Sequence, residues 1–501
     1  MSSESWRNPI RPWPLALGLL AGLAAGLALA LGDAELRAAT GLRPALAAGV
    51  STTMAFWWLT EALPIHWTAC VPLLAFPALS ILGPSLAVNL RGTAMAYLDP
   101  YLFLFAGGMG IAAAMQRWDL HRRIALTVMR AIGTDPRHLL AGTLCATAFV
   151  SLWISNTATA AMMLPIALAL VVQLESQVGG RRLASFGMAL MLAVAYGSNI
   201  GGIGTKIGTA PNLQLAGFLG RMGTEVDFLQ FLAIGLPFVV MLLPIAWWML
   251  WRIGRRDELG QAGAREVIAR ELAELGSMAR PERLVLVVFA LAAAGWIASK
   301  QLTEVFAPRL SALFGGAKIG SAHLEGGIAM LAALALVILR HQGEPVLSRR
   351  ALATVPWESL LLLGGGFALA AGVQQSGLSG WLGGQLRIVS TMPPFSQVLL
   401  ASLMTVALSA VASNTATVAV MLVVLRDAAS PAILPTVLFA ATLAASCDFA
   451  LPAGTPPNAI VFGSGYVRIP VMARTGVLLD LVAALLAAVW CYFAVPAVLG
   501  S

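Results

Sequence analysis

Apolar residues run along this chain in long blocks separated by short polar stretches. A membrane span needs roughly 20 apolar residues. By that measure, spans are expected at about 13–32, 43–62, 66–83, 99–116, 186–220, 231–252, 284–305, 322–340, 356–375, 432–466 and 475–499, with 186–220 and 432–466 interrupted. Two further apolar stretches, 138–174 and 396–427, are too long for one helix and carry polar residues at their centres. Each reads as a re-entrant hairpin, in which one half-helix enters, the chain turns at Ser-Asn-Thr, and a second half-helix returns to the same side. Irregular backbone at membrane depth is tolerated only where protein or a watery cavity surrounds it.

The centres of these stretches are related. Ser155-Asn156-Thr157-Ala158-Thr159 recurs as Ser413-Asn414-Thr415-Ala416-Thr417, 258 positions later. At the same offset Ala106-Gly107-Gly108-Met109 matches Gly364-Gly365-Gly366-Phe367, and Gln116 matches Gln374. Windows 150–164 and 408–422 are identical at nine positions. A polar pentapeptide repeated in register within an apolar chain indicates an internal duplication. The glycine pairs read as helix-packing sites.

Charge orients the pattern. The polar loop 252–283 holds Arg252, Arg255, Arg256, Arg265, Arg270, Arg280 and Arg283, and the positive-inside rule assigns it to the cytoplasm. Counting outward puts Arg7/Arg11, Arg117/Arg122/Arg123, Arg181/Arg182, Arg340/Arg349/Arg350 and Arg468/Arg474 on the same side. The other face has the sparser set Arg37, Arg43, Arg91, Arg221, Arg309, Lys318 and Arg387. Eleven spans, an inside N-terminus and an outside C-terminus fit these groups only if 138–174 and 396–427 turn back. The first hairpin then opens inward and the second outward, so the halves are inverted repeats. The domains are expected as an N-terminal helix (1–42), a first repeat (43–252), an amphipathic cytoplasmic linker (253–283, with Glu266 and Arg270 at i,i+4) and a second repeat (284–501). Arg117–Arg123 reads as interfacial, with Trp118 at headgroup level.

Composition agrees. The chain is 59% hydrophobic and 11% charged, with a mean hydropathy of +0.83, against roughly 25% charged for a soluble domain. It is an all-α polytopic membrane protein by this reading, with the bilayer as its partner. The net charge of +8 does not point to nucleic acid, because much of the arginine lies in short loops. Cys70, Cys145, Cys447 and Cys491 lie in apolar segments without CxxC spacing and read as reduced thiols. The segment from about Trp13 to Leu31 is long enough to span and reads as a retained helix. Neither HExxH nor a serine–histidine pairing is present, which argues against an intramembrane enzyme.

Each Ser-Asn-Thr centre is followed by a second broken element. These are Gly204-Thr205-Lys206-Ile207-Gly208-Thr209-Ala210-Pro211-Asn212 and Leu451-Pro452-Ala453-Gly454-Thr455-Pro456-Pro457-Asn458, and both end in Gly-Thr-x-Pro-Asn. Pro and Gly at this density interrupt a helix. A break exposes carbonyls that suit a cation, and N–H groups at the positive end of a helix dipole that suit an anion. Paired broken helices in inverted repeats are the pattern of a secondary transporter with a midplane site.

These motifs resemble the divalent anion:sodium symporter family, the carriers of di- and tricarboxylates and sulfate, from about residue 43 to 499. The resemblance implies that Asn156, Thr157, Asn414 and Thr415 hold the substrate's carboxylates, with Thr209, Thr455 and Pro456 nearby. It implies one sodium site from Ser151, Ser155, Asn156 and the Gly208 carbonyl, and another from Ser409, Ala412, Asn414 and the Gly454 carbonyl. It also implies a homodimer with a fixed scaffold and an elevator-like transport domain. Sodium is the expected coupling ion, with no other cofactor, and the inner membrane the expected location. C4-dicarboxylates such as succinate or malate are the expected substrates. Sodium-independent exchange, or carriage of sulfate or tricarboxylates, is the alternative. Lys206 and Asp448 depart from the family's neutral residues. Lys206 would replace a sodium ion in an exchanger, while Asp448 would bind a proton or cation, or pair with Lys206. Glu61, His66 and Asp480 read as structural.

Overall fold

A computed structural model describes residues 12–257 and 265–500. Arg7 and Arg11, on which the N-terminal orientation partly rests, lie outside them, as does 258–264 of the linker. The regular structure of the described residues is helical apart from one two-stranded ladder, Arg340–His341 with Glu344–Pro345. Each of the eleven expected spans coincides with a helix or a broken helix pair. Among the described residues, seven helices are long and apolar enough to cross a membrane, or nine if two sharply bent pairs each count as one span. The shorter pieces include Ile65–Leu79 and Leu434–Ala445. Leu434–Ala445 is almost wholly buried by other helices. The protein is a helical polytopic membrane protein.

The Ser-Asn-Thr stretches fold back on themselves. In the first half, Pro136–Ser151 is followed after four residues by Asn156–Gln177. Gly197 packs on Leu144 and Thr147, and Gly201 on Ala148, so Pro136–Ser151 runs in the same direction as Ala184–Gly202. Asn156 meets Gly202 at one end, and the Glu175 carboxylate accepts from Leu183 N–H at the other, so Asn156–Gln177 runs against that helix. In the second half, Ser409 meets Asn414 at the turn between Pro394–Ser409 and Asn414–Ala428. At the far end the Ser430 N–H donates to Gln397 Oε1, which closes a second antiparallel pair.

The glycine pairs serve packing. A side chain at Gly107 would collide with the backbone of Ala329 on Ser321–Ile338, and one at Gly365 with Ala69. Close approach between helices of a membrane protein needs small residues. Trp118 donates to the Val346 carbonyl rather than standing free, and Arg117 reaches Glu344 and the Pro345 carbonyl. Within the linker, Arg265–Glu274 is helical. The expected Glu266–Arg270 pair is absent among the described ion pairs. Glu271 and Glu274 face Arg122 instead, and Arg123 binds Glu282 and the Leu275 and Gly276 carbonyls. Exposed i,i+4 pairs contribute little, whereas these contacts clamp the linker onto Leu120–Ile132. The four cysteines are free.

Candidate functional site

Each Ser-Asn-Thr turn places its serine at the cap of a new helix. Ser155 and Ser413 cap Asn156–Gln177 and Asn414–Ala428 without spending their hydroxyls on the cap. The asparagines that follow are held from behind in the same way. Ser151 Oγ lies 3.0 Å from Asn156 Oδ1 and donates to the Ser198 carbonyl at 2.7 Å. Ser409 Oγ lies 2.9 Å from Asn414 Oδ1 and donates to the Ala445 carbonyl at 2.7 Å.

The Gly-Thr-x-Pro-Asn loops are also built alike. Ala184–Gly202 stops, and the chain resumes as a helix at Ala210; Leu434–Ala445 stops, and the chain resumes at Pro456. Proline in the first turn suits both new starts, where an N–H has no helical partner. The terminal asparagine of each motif ties down its own loop. Asn212 Nδ2 lies 3.0, 3.2 and 2.6 Å from the Gly202, Ile203 and Thr205 carbonyls. Asn458 Nδ2 donates to the Asp448 and Leu451 carbonyls at 3.2 and 2.9 Å.

These four elements meet on one cavity of about 480 Å³. Ser155, Asn156, Thr157, Gly208, Thr209 and Ala210 line it from the first half, and Ser413, Asn414, Thr415, Gly454, Thr455 and Pro456 from the second. Ser151, Ser409 and Ala412 stand behind the lining, buried. Three helices of a dozen residues or more begin at this cavity, at Asn156, Ala210 and Asn414. Their positive dipole ends and free N–H groups therefore converge on it. Among the described residues no lysine or arginine lines it, and Glu61 is the one charged residue that does. Such a cavity suits an anion whose charge is balanced by helix termini and by accompanying cations.

Lys206 does not reach the cavity lining, and it does not pair with Asp448. Its Nζ donates to Glu325 Oε2 at 2.7 Å and stands 5.4 Å from the Tyr101 ring centre, and both partners of the pair are fully buried. Glu325 Oε1 also accepts from Phe228 N–H and Ser299 Oγ. A buried pair survives in a low dielectric when further contacts hold its partners; here Phe228 N–H and Ser299 Oγ hold the carboxylate, and the ammonium faces the Tyr101 ring. The Asp448 carboxylate has no such partner among the described residues. Asp480, read as structural, lies well inside Ile469–Leu499 and accepts from Phe449 N–H at 2.9 Å.

Two residues, Asn199 and Glu325, escaped the sequence reading. Asn199 lines the cavity, and its Nδ2 donates to Thr455 Oγ1 at 3.0 Å and approaches the Asp448 carbonyl, which joins the two halves. Its signal was an amide deep inside an apolar span. Glu325 was legible as an acid inside the expected span 322–340. Glu61, read as structural, stands on the cavity wall, in a left-handed conformation after Arg43–Thr60.

Residues 24–496 match the model of the sodium:sulfate symporter transmembrane region. The chain belongs to that family. It is 35% identical over 463 residues to the sodium-dependent dicarboxylate transporter SdcS of Staphylococcus saprophyticus, covering 90% of this chain and 86% of that one. Identity to the Staphylococcus aureus SdcS is 34% over the same shares. Among solved structures, the YdaH transporter of Alcanivorax borkumensis shares the fold, with a TM-score of 0.55 at 15% identity over 90% of this chain and 98% of that one. This symporter-family member is a transport protein and not an enzyme.

Proposed function

We propose that this family member is a secondary active transporter that couples the movement of C4-dicarboxylates such as succinate to sodium across the inner membrane, with its N-terminus in the cytoplasm. The observation that carries the reading is the meeting of both Ser-Asn-Thr tips and both Gly-Thr-x-Pro-Asn loops on one cavity without a basic lining residue. Asn156, Thr157, Asn414 and Thr415 are the carboxylate-binding residues on this reading, with Thr209, Thr455 and Pro456 beside them. Ser151, Ser155, Asn156 and Gly208 hold one sodium ion, and Ser409, Ala412, Asn414 and Gly454 the other. Bound cation charge and helix termini offset the dianion, so neither anion nor cation is readily buried alone and their binding is linked. The family relationship and the names of the staphylococcal relatives support this assignment. The antiparallel helix pairs support two re-entrant hairpins; on this reading they belong to oppositely oriented repeats of an elevator that works against a scaffold in a homodimer.

The retention of Lys206 by Glu325 favours sodium coupling over exchange, because the ammonium is held away from the place where it would substitute for a cation. The test is radiolabelled succinate uptake into proteoliposomes, with an inward sodium gradient compared with choline. Uptake driven by sodium supports the proposal. Uptake that ignores sodium but requires internal dicarboxylate overturns it in favour of exchange, and preferential uptake of sulfate or citrate overturns the substrate class.

A further inference from the structure

The two loops that carry Gly208 and Gly454 differ at one buried position. Six residues before each glycine stand Gly202 and Asp448. The structure uses them as counterparts. A side-chain carbon at Gly208 would lie 2.5 Å from the Gly202 carbonyl oxygen, and one at Gly454 would lie 2.1 Å from Asp448 Oδ2. At position 202 there is no space for a side chain, since its first carbon would lie 2.1 Å from Asn156 Oδ1. The first half is therefore confined to neutral oxygens at this point, whereas the second half places a carboxylate directly against Gly454.

That carboxylate is fully buried, and neither oxygen has a hydrogen-bond partner among the described residues. The Ala450 N–H approaches it without reaching hydrogen-bond geometry. Two residues earlier, the buried Ser446 hydroxyl is also without a partner. The other carboxylate at this loop is Asp480, which faces Phe449 N–H. No lysine or arginine pairs with either acid among the described ion pairs, and Lys206, the basic residue of the opposite loop, is held by Glu325. A carboxylate buried at membrane depth without a counter-charge is expensive. Hard oxygen donors left open beside a broken helix suit a hard cation, and one negative charge matches a monovalent one.

We propose that the Asp448 carboxylate is a direct ligand of the cation bound at the second tip. The second cation site is then anionic, while the first is built from neutral oxygens. This inference rests on the sodium-coupled reading and extends it. The sites are unequal, with the second the tighter, and the cation there is balanced by the protein, leaving the first cation and the helix termini to meet the dianion.

Sodium binding can be read without transport. Full-length protein in detergent is titrated with sodium chloride against choline chloride, without substrate, and the thermal unfolding midpoint is followed. Sodium stabilises the wild type, and Asp448→Asn requires at least tenfold more sodium for half of the shift. The sodium concentration for half-maximal succinate uptake rises in parallel. A folded Asp448→Asn protein with the wild-type sodium midpoint overturns the inference, as it would if the carboxylate were protonated, because the amide mimics the neutral acid. Asp448→Gly, which copies the first half, is the second variant if the amide does not fold. A carboxylate infrared band in the wild type that does not respond to sodium overturns the inference without any variant. Sodium stabilisation without sodium-driven uptake would instead sink the symport reading and leave this one standing.

Discussion

In the first half, the helix break at 203–209 carries Lys206, whose charge is cancelled within the protein by Glu325 at 2.7 Å. In the second half, the break at 446–455 carries Asp448, with no basic group to meet it among the described ion pairs. The tips beside these breaks are nearly superimposable in their chemistry, down to a serine behind each asparagine at 3.0 and 2.9 Å. A duplicated motif can thus keep its hydrogen-bond scaffold while its electrostatics diverge. A stray charge is tolerated if the surrounding helices neutralise it, and one that they leave open marks a place for a ligand.

The largest expected effect separates the two charges. Lys206→Met leaves Glu325 buried without a cation, at a cost of about 3–5 kcal/mol. It is measured as a fall in the unfolding midpoint in detergent, and Lys206→Met with Glu325→Gln should recover most of it. Full stability in the single variant would break the contrast between a closed and an open charge. The next effect tests the shared part. Asn156→Ala and Asn414→Ala should each lower succinate uptake in proteoliposomes about 100-fold, because each loses hydrogen bonds to charged groups of roughly 1.5–3 kcal/mol while the fold persists. Normal uptake in both would sink the site assignment, and a large loss in only one would show that the halves do not share the substrate equally. The smallest effect concerns the bridge between halves. Asn199→Ala removes neutral contacts to Thr455 and the Asp448 carbonyl, each worth about 1 kcal/mol, and should lower uptake several-fold with a small fall in midpoint. An unchanged rate would show that Thr455 is positioned by Asn458 alone, to whose N–H its hydroxyl is already linked.

Much of the site was legible because its residues break the rules of their surroundings. Ser, Asn and Thr at the centre of apolar stretches, and Pro with Gly inside expected spans, conflict with a plain membrane helix, and the repeat in register excluded accident. Asn199 and Glu325 conflict as well, but each occurs once, and an isolated polar residue in a membrane helix commonly bonds only to a neighbouring helix. Glu61 follows the end of a helix, where an acid is unremarkable until the cavity wall behind it is known.

The chain alone therefore determined the membrane-embedded class, the duplication, the paired breaks and the residues at their tips, because those depend on length, apolarity and local backbone chemistry. It also showed that Lys206 and Asp448 were out of place. Only the tertiary structure decided their partners. Pairing across 119 positions, as between Lys206 and Glu325, depends on which helices pack together. The same packing left Asp448 open against Gly454 and closed the matching space at Gly202 with Asn156.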